Sequence, residues 1–178
     1  MKRSLLAYAL IFILILLGGQ RVVAQTEDTA YIRMVTDRAG KIVAKLDLPD
    51  SAKFYQVRTM VADQYRDLNA MTQRKDTNLT KQHGVYLAKL ATVLTPKQID
   101  QVKDGMTYGV VEVTYKAYCE KYPGLTDEQK LYVMNCLMEA REHAMDGGSS
   151  KEKHAWFGKY KGRINNYLSS QGYDQKKN

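Results

Sequence analysis

Hydrophobic residues recur at intervals of three and four along most of the chain, the spacing that places side chains on one face of an α-helix. One stripe covers residues 31–46 and a second covers 54–71, with the helix-breaking Leu-Pro-Asp-Ser of 48–51 between them. A polar loop at 73–78 precedes a third stripe at about 80–93. The pattern predicts helices joined by short connections.

Two stretches of identical pattern mark further helix starts. Residues 94–98 read LTPKQ and residues 125–129 read LTDEQ, so both are L-T-x-x-Q. A threonine at the N-cap accepts a backbone N–H bond, and a glutamine three residues later returns one to the N–H of the cap. The segment from Ser149 to Glu152 offers a third box of the same kind. Helix capping accounts for all three motifs without a functional role.

Between the first two boxes, the segment from Gly105 to Val113 is ambiguous. Its β-branched residues and two glycines suit a short strand or an irregular turn. No second strand is evident, so a helix resuming near Glu112 is the better interpretation. The chain is therefore predicted to be all-α, a single helical domain of about six helices with short connections.

The N-terminus has the pattern of a cleaved signal peptide over residues 1–24. Lys2 and Arg3 precede an apolar run at 5–17, and small residues lead up to Ala24. The run is shorter than the roughly 20 residues that span a bilayer, so no permanent membrane anchor is expected. The single domain would then occupy residues 25–178, in the periplasm or outside the cell. Export also makes nucleic acid a poor partner.

Of the net charge of +8, five charges lie at the C-terminus and the other three within the predicted signal peptide. Residues 149–178 hold seven Lys and Arg against two acids, whereas residues 25–148 hold equal numbers of each sign. A localised field of one sign attracts polyanions or anionic surfaces. A solvated helix face with a lysine-rich tail would give the same composition.

This basic segment also holds the single tryptophan of the chain. Aromatic rings can cover the apolar face of a sugar while cations hold its carboxylates. Two glycines interrupt the predicted helix, at about 1 kcal/mol each relative to alanine, so another backbone or a ligand should approach them closely. The candidate ligand-binding residues are Trp156, Tyr160, Lys159, Lys161 and Arg163. A C-terminal helix docked by its rings, with cations outward, is an equally good interpretation.

Signals for catalysis are weak, and the sequence predicts a protein that is not an enzyme and needs no cofactor. No zinc-protease, phosphate-loop or nucleophile-elbow motif occurs. Glu139, His143 and Asp146 share one side of a predicted helix, but three groups on one helix make no complete metal site. Whether Cys119 and Cys136 pair is left open by their spacing.

Several segments resemble an uncharacterised family of exported bacterial proteins, filed as a domain of unknown function and described as sugar-binding. They are LTPKQIDQVKDGMTYGV, LTDEQ, EAREHAMDGGSSKEKHAWFGKYKGRINNYL and QGYD. The resemblance implies a glycan-related setting. The doubled L-T-x-x-Q is also similar to small periplasmic stress chaperones that carry this repeat.

The leading hypothesis is a non-catalytic exported module that binds polysaccharide or oligosaccharide, with acidic carbohydrate as the best match to the charge. The alternative is a periplasmic chaperone or envelope-stress adaptor with protein clients. A structural partner of an outer-membrane assembly is a third option.

Overall fold

The computed structural model describes residues 29–173, which form seven α-helices and no β-strand. The all-α prediction is confirmed, with one helix more than the expected six. The predicted signal peptide and both predicted domain boundaries lie outside the described residues. The helices are α1 (residues 29–43), α2 (Ser51–Arg74), α3 (Leu79–Ala91), α4 (Pro96–Met106), α5 (Val110–Lys121), α6 (Asp127–Met145) and α7 (Ser150–Ser170).

Both L-T-x-x-Q stretches are capping boxes. The hydroxyl of Thr95 accepts the N–H of Gln98, and the side chain of Gln98 accepts the N–H of Thr95. Thr126 and Gln129 repeat the arrangement at the start of α6. Each box satisfies two backbone donors that a helix start leaves without partners. The helix starts predicted from these motifs are confirmed.

The third predicted box forms only in part. Ser149 accepts the N–H of Glu152 at 3.2 Å, as expected of an N-cap. The carboxylate of Glu152, however, accepts the N–H of Gly148 at 2.7 Å rather than that of Ser149. The side chain of Glu152 therefore binds the backbone one residue before the expected position, in the bend between α6 and α7.

The ambiguous segment at 105–113 is a tight junction between α4 and α5. Tyr108 and Gly109 both have a left-handed backbone, with φ of 61° and 66°. This conformation suits glycine and is strained for tyrosine. The reversal lets α5 begin at Val110, two residues before the predicted position.

Two hydrophobic clusters form the core. The first is built from α1 to α4, together with Met145 at the end of α6. The second joins α5, α6 and α7. Helix α6 packs most extensively against α7 and also contacts α4 and α5. It therefore belongs to both halves and sets the position of α7.

The two cysteines are free thiols, Cys119 partly buried and Cys136 buried. Among residues 29–173, no helix combines the length and the apolar character needed to cross a bilayer.

Candidate functional site

The aromatic arc of α7 is divided between core and surface. Phe157 and Tyr160 are buried in the second cluster, the latter with 5% of its surface exposed. Trp156 and Tyr167, at the edge of the same arc, are only partly buried. Part of the arc therefore docks α7 into the core, and the other part lies at the surface.

Cations lie over two of these rings. The Nζ of Lys159 is 4.9 Å from the centroid of the Trp156 ring. The guanidinium carbon of Arg163 is 4.8 Å from the centroid of the Tyr160 ring. A cation within about 6 Å of an aromatic face is attracted by the ring quadrupole. Four of the five predicted residues are therefore brought together.

Helix α6 contributes two more rings along the same seam. His143 stacks on Trp156 with centroids 4.5 Å apart and 17° between the planes. Tyr132 stacks on Tyr167 with centroids 3.8 Å apart. We refer to the resulting row of rings between α6 and α7 as the ring strip, which comprises Tyr132, His143, Trp156, Tyr160 and Tyr167.

Glu139 lies at the centre of the ring strip. Its carboxylate accepts a hydrogen bond from Nη1 of Arg163 at 2.6 Å, with both side chains half exposed. Burial raises the pKa of Tyr160, and a hydrogen bond with Glu139 raises it further. The charge of Glu139 also raises the pKa of Arg163. One carboxylate thus holds both a ring and a cation of the predicted site.

A surface hollow of about 680 Å³ opens beside the ring strip. Its walls combine rings, cations and amide groups, and a glycine leaves one side open. The lining residues are Tyr132, Lys159, Tyr160, Gly162, Arg163, Asn166 and Tyr167. Apolar rings with a few polar groups are the usual composition of a small-molecule site.

Lys161 does not join the other four predicted residues. It lines a separate groove between α5 and α7, together with Tyr118, Lys121 and Asn165. The hydroxyl of Tyr118 donates to Asn165 Oδ1 at 2.7 Å and so links the two helices that form this groove. Lys161 therefore lies on the opposite edge of α7 from Lys159.

The two glycines of α7 have no close neighbour. A Cβ added at Gly158 or Gly162 would meet nothing within 4 Å in the described part of the chain. Another backbone or a ligand was expected to approach these glycines, and no backbone of the described residues does so. The space beside Gly162 belongs to the hollow.

A second cavity, about 470 Å³, is lined in part by Trp156 and lies where α2, α3, α6 and α7 meet. Its central group is His83, whose Nδ1 is 2.8 Å from Asp146 and whose Nε2 is 3.4 Å from Glu142. Lys103 donates to the same Glu142 oxygen at 2.8 Å. The cavity wall is therefore a charge network that joins the two halves of the domain.

These contacts fix the protonation states in the network. Hydrogen bonds to Asp146 and then to Glu142 raise the pKa of His83 to about 9. Burial alone would raise the pKa of Glu142, but the hydrogen bonds from His83 and Lys103 outweigh burial and lower it to about 2. His83 is therefore a cation at neutral pH and Glu142 an anion.

The three α6 residues that share one side of the helix have separate partners. Glu139 binds Arg163, His143 stacks on Trp156, and Asp146 binds His83. Within residues 29–173, no group of three or more His, Cys, Asp or Glu is placed to hold a metal ion.

Sequence reasoning missed the contribution of α6 to the ring strip. Tyr132, Glu139 and His143 follow one another at steps of seven and four, which places them on one helix face. That spacing was available as a signal. What it could not provide was the identity of the helix that this face packs against.

These observations define an all-α protein with an aromatic and cationic seam between its last two helices. A family described as "Protein of unknown function (DUF3826)" matches residues 32–81 and 67–178, and the chain belongs to this family. No curated protein matches the chain at a significant level.

Proposed function

We propose that this protein is a non-catalytic, exported binding module that recognises acidic carbohydrate at the ring strip. The observation that carries the proposal is the position of Lys159 over the partly exposed ring of Trp156. An apolar sugar face can pack on such a ring while its acid group reaches the ammonium.

The dimensions support an extended ligand. Trp156 and Tyr167 are eleven positions apart on α7, which corresponds to roughly 16 Å along the helix axis at 1.5 Å per residue. Both rings lie at the edge of the second cluster, and the hollow lined by Lys159, Arg163 and Tyr167 extends along this part of α7. A short stretch of a polysaccharide fits this row better than a single sugar does.

The chaperone alternative has less support. Its sequence signal was the doubled L-T-x-x-Q, and both copies form capping boxes at helix starts. Local backbone chemistry therefore accounts for the motif in full.

The test is a binding panel at low ionic strength, with oligogalacturonate as the acidic probe and dextran as the neutral one. Lys159→Gln should weaken oligogalacturonate binding at least fivefold, because a charge-assisted hydrogen bond is lost. Lys161→Gln is the matched control, since it removes the same charge from the opposite edge of the same helix. We expect a markedly smaller effect from the control.

Trp156→Phe and Trp156→Ala complete the series. Phenylalanine keeps a ring and should retain part of the affinity, whereas alanine should abolish measurable binding. Because Trp156 is partly buried, far-UV circular dichroism and urea unfolding must show that each variant is folded. The proposal fails if the wild-type protein binds no acidic glycan, or if both lysine variants lose affinity equally.

A further inference from the structure

We propose that Glu139 makes the ring strip selective for uronate-type carbohydrate, with one carboxylate per sugar, over densely sulfated chains. This inference rests on the proposed function. It starts from the unequal situation of the two cations at the strip, Lys159 and Arg163.

The charge of Arg163 is already compensated. Its Nη1 donates to Glu139 at 2.6 Å, across the seam between α6 and α7. Lys159 forms no ion pair with any residue in the part of the chain that the structure describes. The strip therefore presents one uncompensated ammonium, at Trp156, and one paired guanidinium about 6 Å further along the helix.

An anionic ligand meets different conditions at these two positions. A carboxylate that binds Lys159 finds an unpaired cation beside an apolar ring. An anion that binds Arg163 must approach the carboxylate of Glu139, and like charges at close range repel. A densely sulfated chain carries acid groups at several positions of its sugars and cannot avoid this second encounter, whereas a uronate chain carries one carboxylate per sugar and presents hydroxyls at its other positions.

Glu139 also favours hydroxyl groups. An ionised carboxylate is an acceptor only, with room for several hydrogen bonds on its two oxygens. The side chain is half exposed, so a ligand can reach it. A uronate unit suits both positions, because its carboxylate can bind Lys159 while a hydroxyl further along the chain donates to Glu139.

The experiment compares Glu139→Gln with the wild type, using oligogalacturonate and heparin as probes at low ionic strength. Glutamine keeps the shape and one acceptor oxygen but removes the charge. We expect heparin affinity to rise two- to fivefold, the range that one exposed charge contributes. Oligogalacturonate affinity should stay the same or fall.

Glu120→Gln is the matched control. Glu120 is an exposed glutamate of α5, paired with Lys116 at 3.8 Å and absent from the lining of the hollow. Glu120→Gln removes the same charge without changing the ring strip. The ratio of heparin affinity to oligogalacturonate affinity should therefore stay at the wild-type value.

The outcomes separate the two proposals. If wild-type protein binds oligogalacturonate but Glu139→Gln leaves the affinity ratio unchanged, the selectivity role of Glu139 is overturned and the binding function stands. An equal change in both glutamine variants also overturns it, because net charge alone would then explain the result. If the wild type binds no oligogalacturonate, the proposed function fails and this inference fails with it.

Discussion

The indole ring of Trp156 lies almost parallel to the imidazole ring of His143, with centroids 4.5 Å apart. The contact joins the exposed edge of α7 to α6 and holds the indole ring in one orientation. Because the fold already restricts the side-chain conformation of Trp156, a ligand loses no affinity to the ordering of this ring when it binds.

Replacing His143 with alanine should loosen Trp156. Loss of the stacked pair should lower the free energy of unfolding by about 0.5–1.5 kcal/mol. Trp156 is the only tryptophan of the chain, so its fluorescence emission should shift to longer wavelength as the ring becomes more exposed. Urea unfolding and emission spectra check both effects.

His154→Ala is the control for this variant. His154 is exposed and stacks on Tyr108 at 5.8 Å, on the other edge of α7. Its removal should leave the emission spectrum unchanged. An equal shift in both variants would contradict the role given to His143.

The glycines of α7 offer a test that separates stability from binding. Gly158→Ala and Gly162→Ala each place a Cβ in open space, so each should raise the stability of the helix by up to about 1 kcal/mol. Only Gly162 lines the hollow beside the ring strip. We therefore expect Gly162→Ala to weaken oligogalacturonate binding and Gly158→Ala to leave it intact.

Thermal unfolding and titration on the same samples decide this prediction. A fall in stability at Gly158 would mean that this face of α7 is covered in solution. Equal binding by both variants would remove Gly162 from the site.

His83 should make stability depend on pH. Its pKa is about 9 in the folded chain, above the ordinary value of 6.5. The folded state therefore holds the proton more tightly, and this contribution is fully present below pH 6.5 and is lost as the pH rises through about 9. Urea midpoints of the wild type and of His83→Gln should converge as the pH rises across this window.

Lys153 acts in the opposite direction at higher pH. It is buried, with its Nζ donating to the carbonyls of Ala144 and Met145 at the end of α6. Burial lowers its pKa from 10.5 to about 8, so the unfolded chain binds the proton more tightly between these values. Stability relative to Lys153→Met should therefore rise as the pH increases from about 8 to 10.5.

Parallel unfolding series at several pH values measure this difference. A constant difference between the wild type and Lys153→Met would show that the amine carries an ordinary pKa. The windows of His83 and Lys153 overlap only between about 8 and 9, so the two effects can be distinguished.

Local chemistry in the sequence predicted the helices well. The L-T-x-x-Q boxes fixed the starts of α4 and α6, because a capping box involves only residues within one turn. The start of α5 was predicted near Glu112 and lies at Val110, and the left-handed backbone at Tyr108 that precedes it is a conformation that no pattern in that segment favours.

The candidate site was harder to predict, because it depends on which helix lies beside which. The spacing of Trp156 and Tyr160 places them on neighbouring positions of one arc, yet packing against the second cluster buries only Tyr160. The location of Lys159 and Lys161 on opposite edges of α7 could have been predicted, because residues two positions apart are rotated by about 200° around a helix of 3.6 residues per turn.

Helix α6 gives the domain a constraint on the order in which it can be completed. Met145 is fully enclosed among residues that come from α1 to α4, although it is made long after them. While the end of α6 is out of place, apolar surface of the first four helices stays in contact with water. The N-terminal half can be closed only by a segment that belongs mainly to the other half.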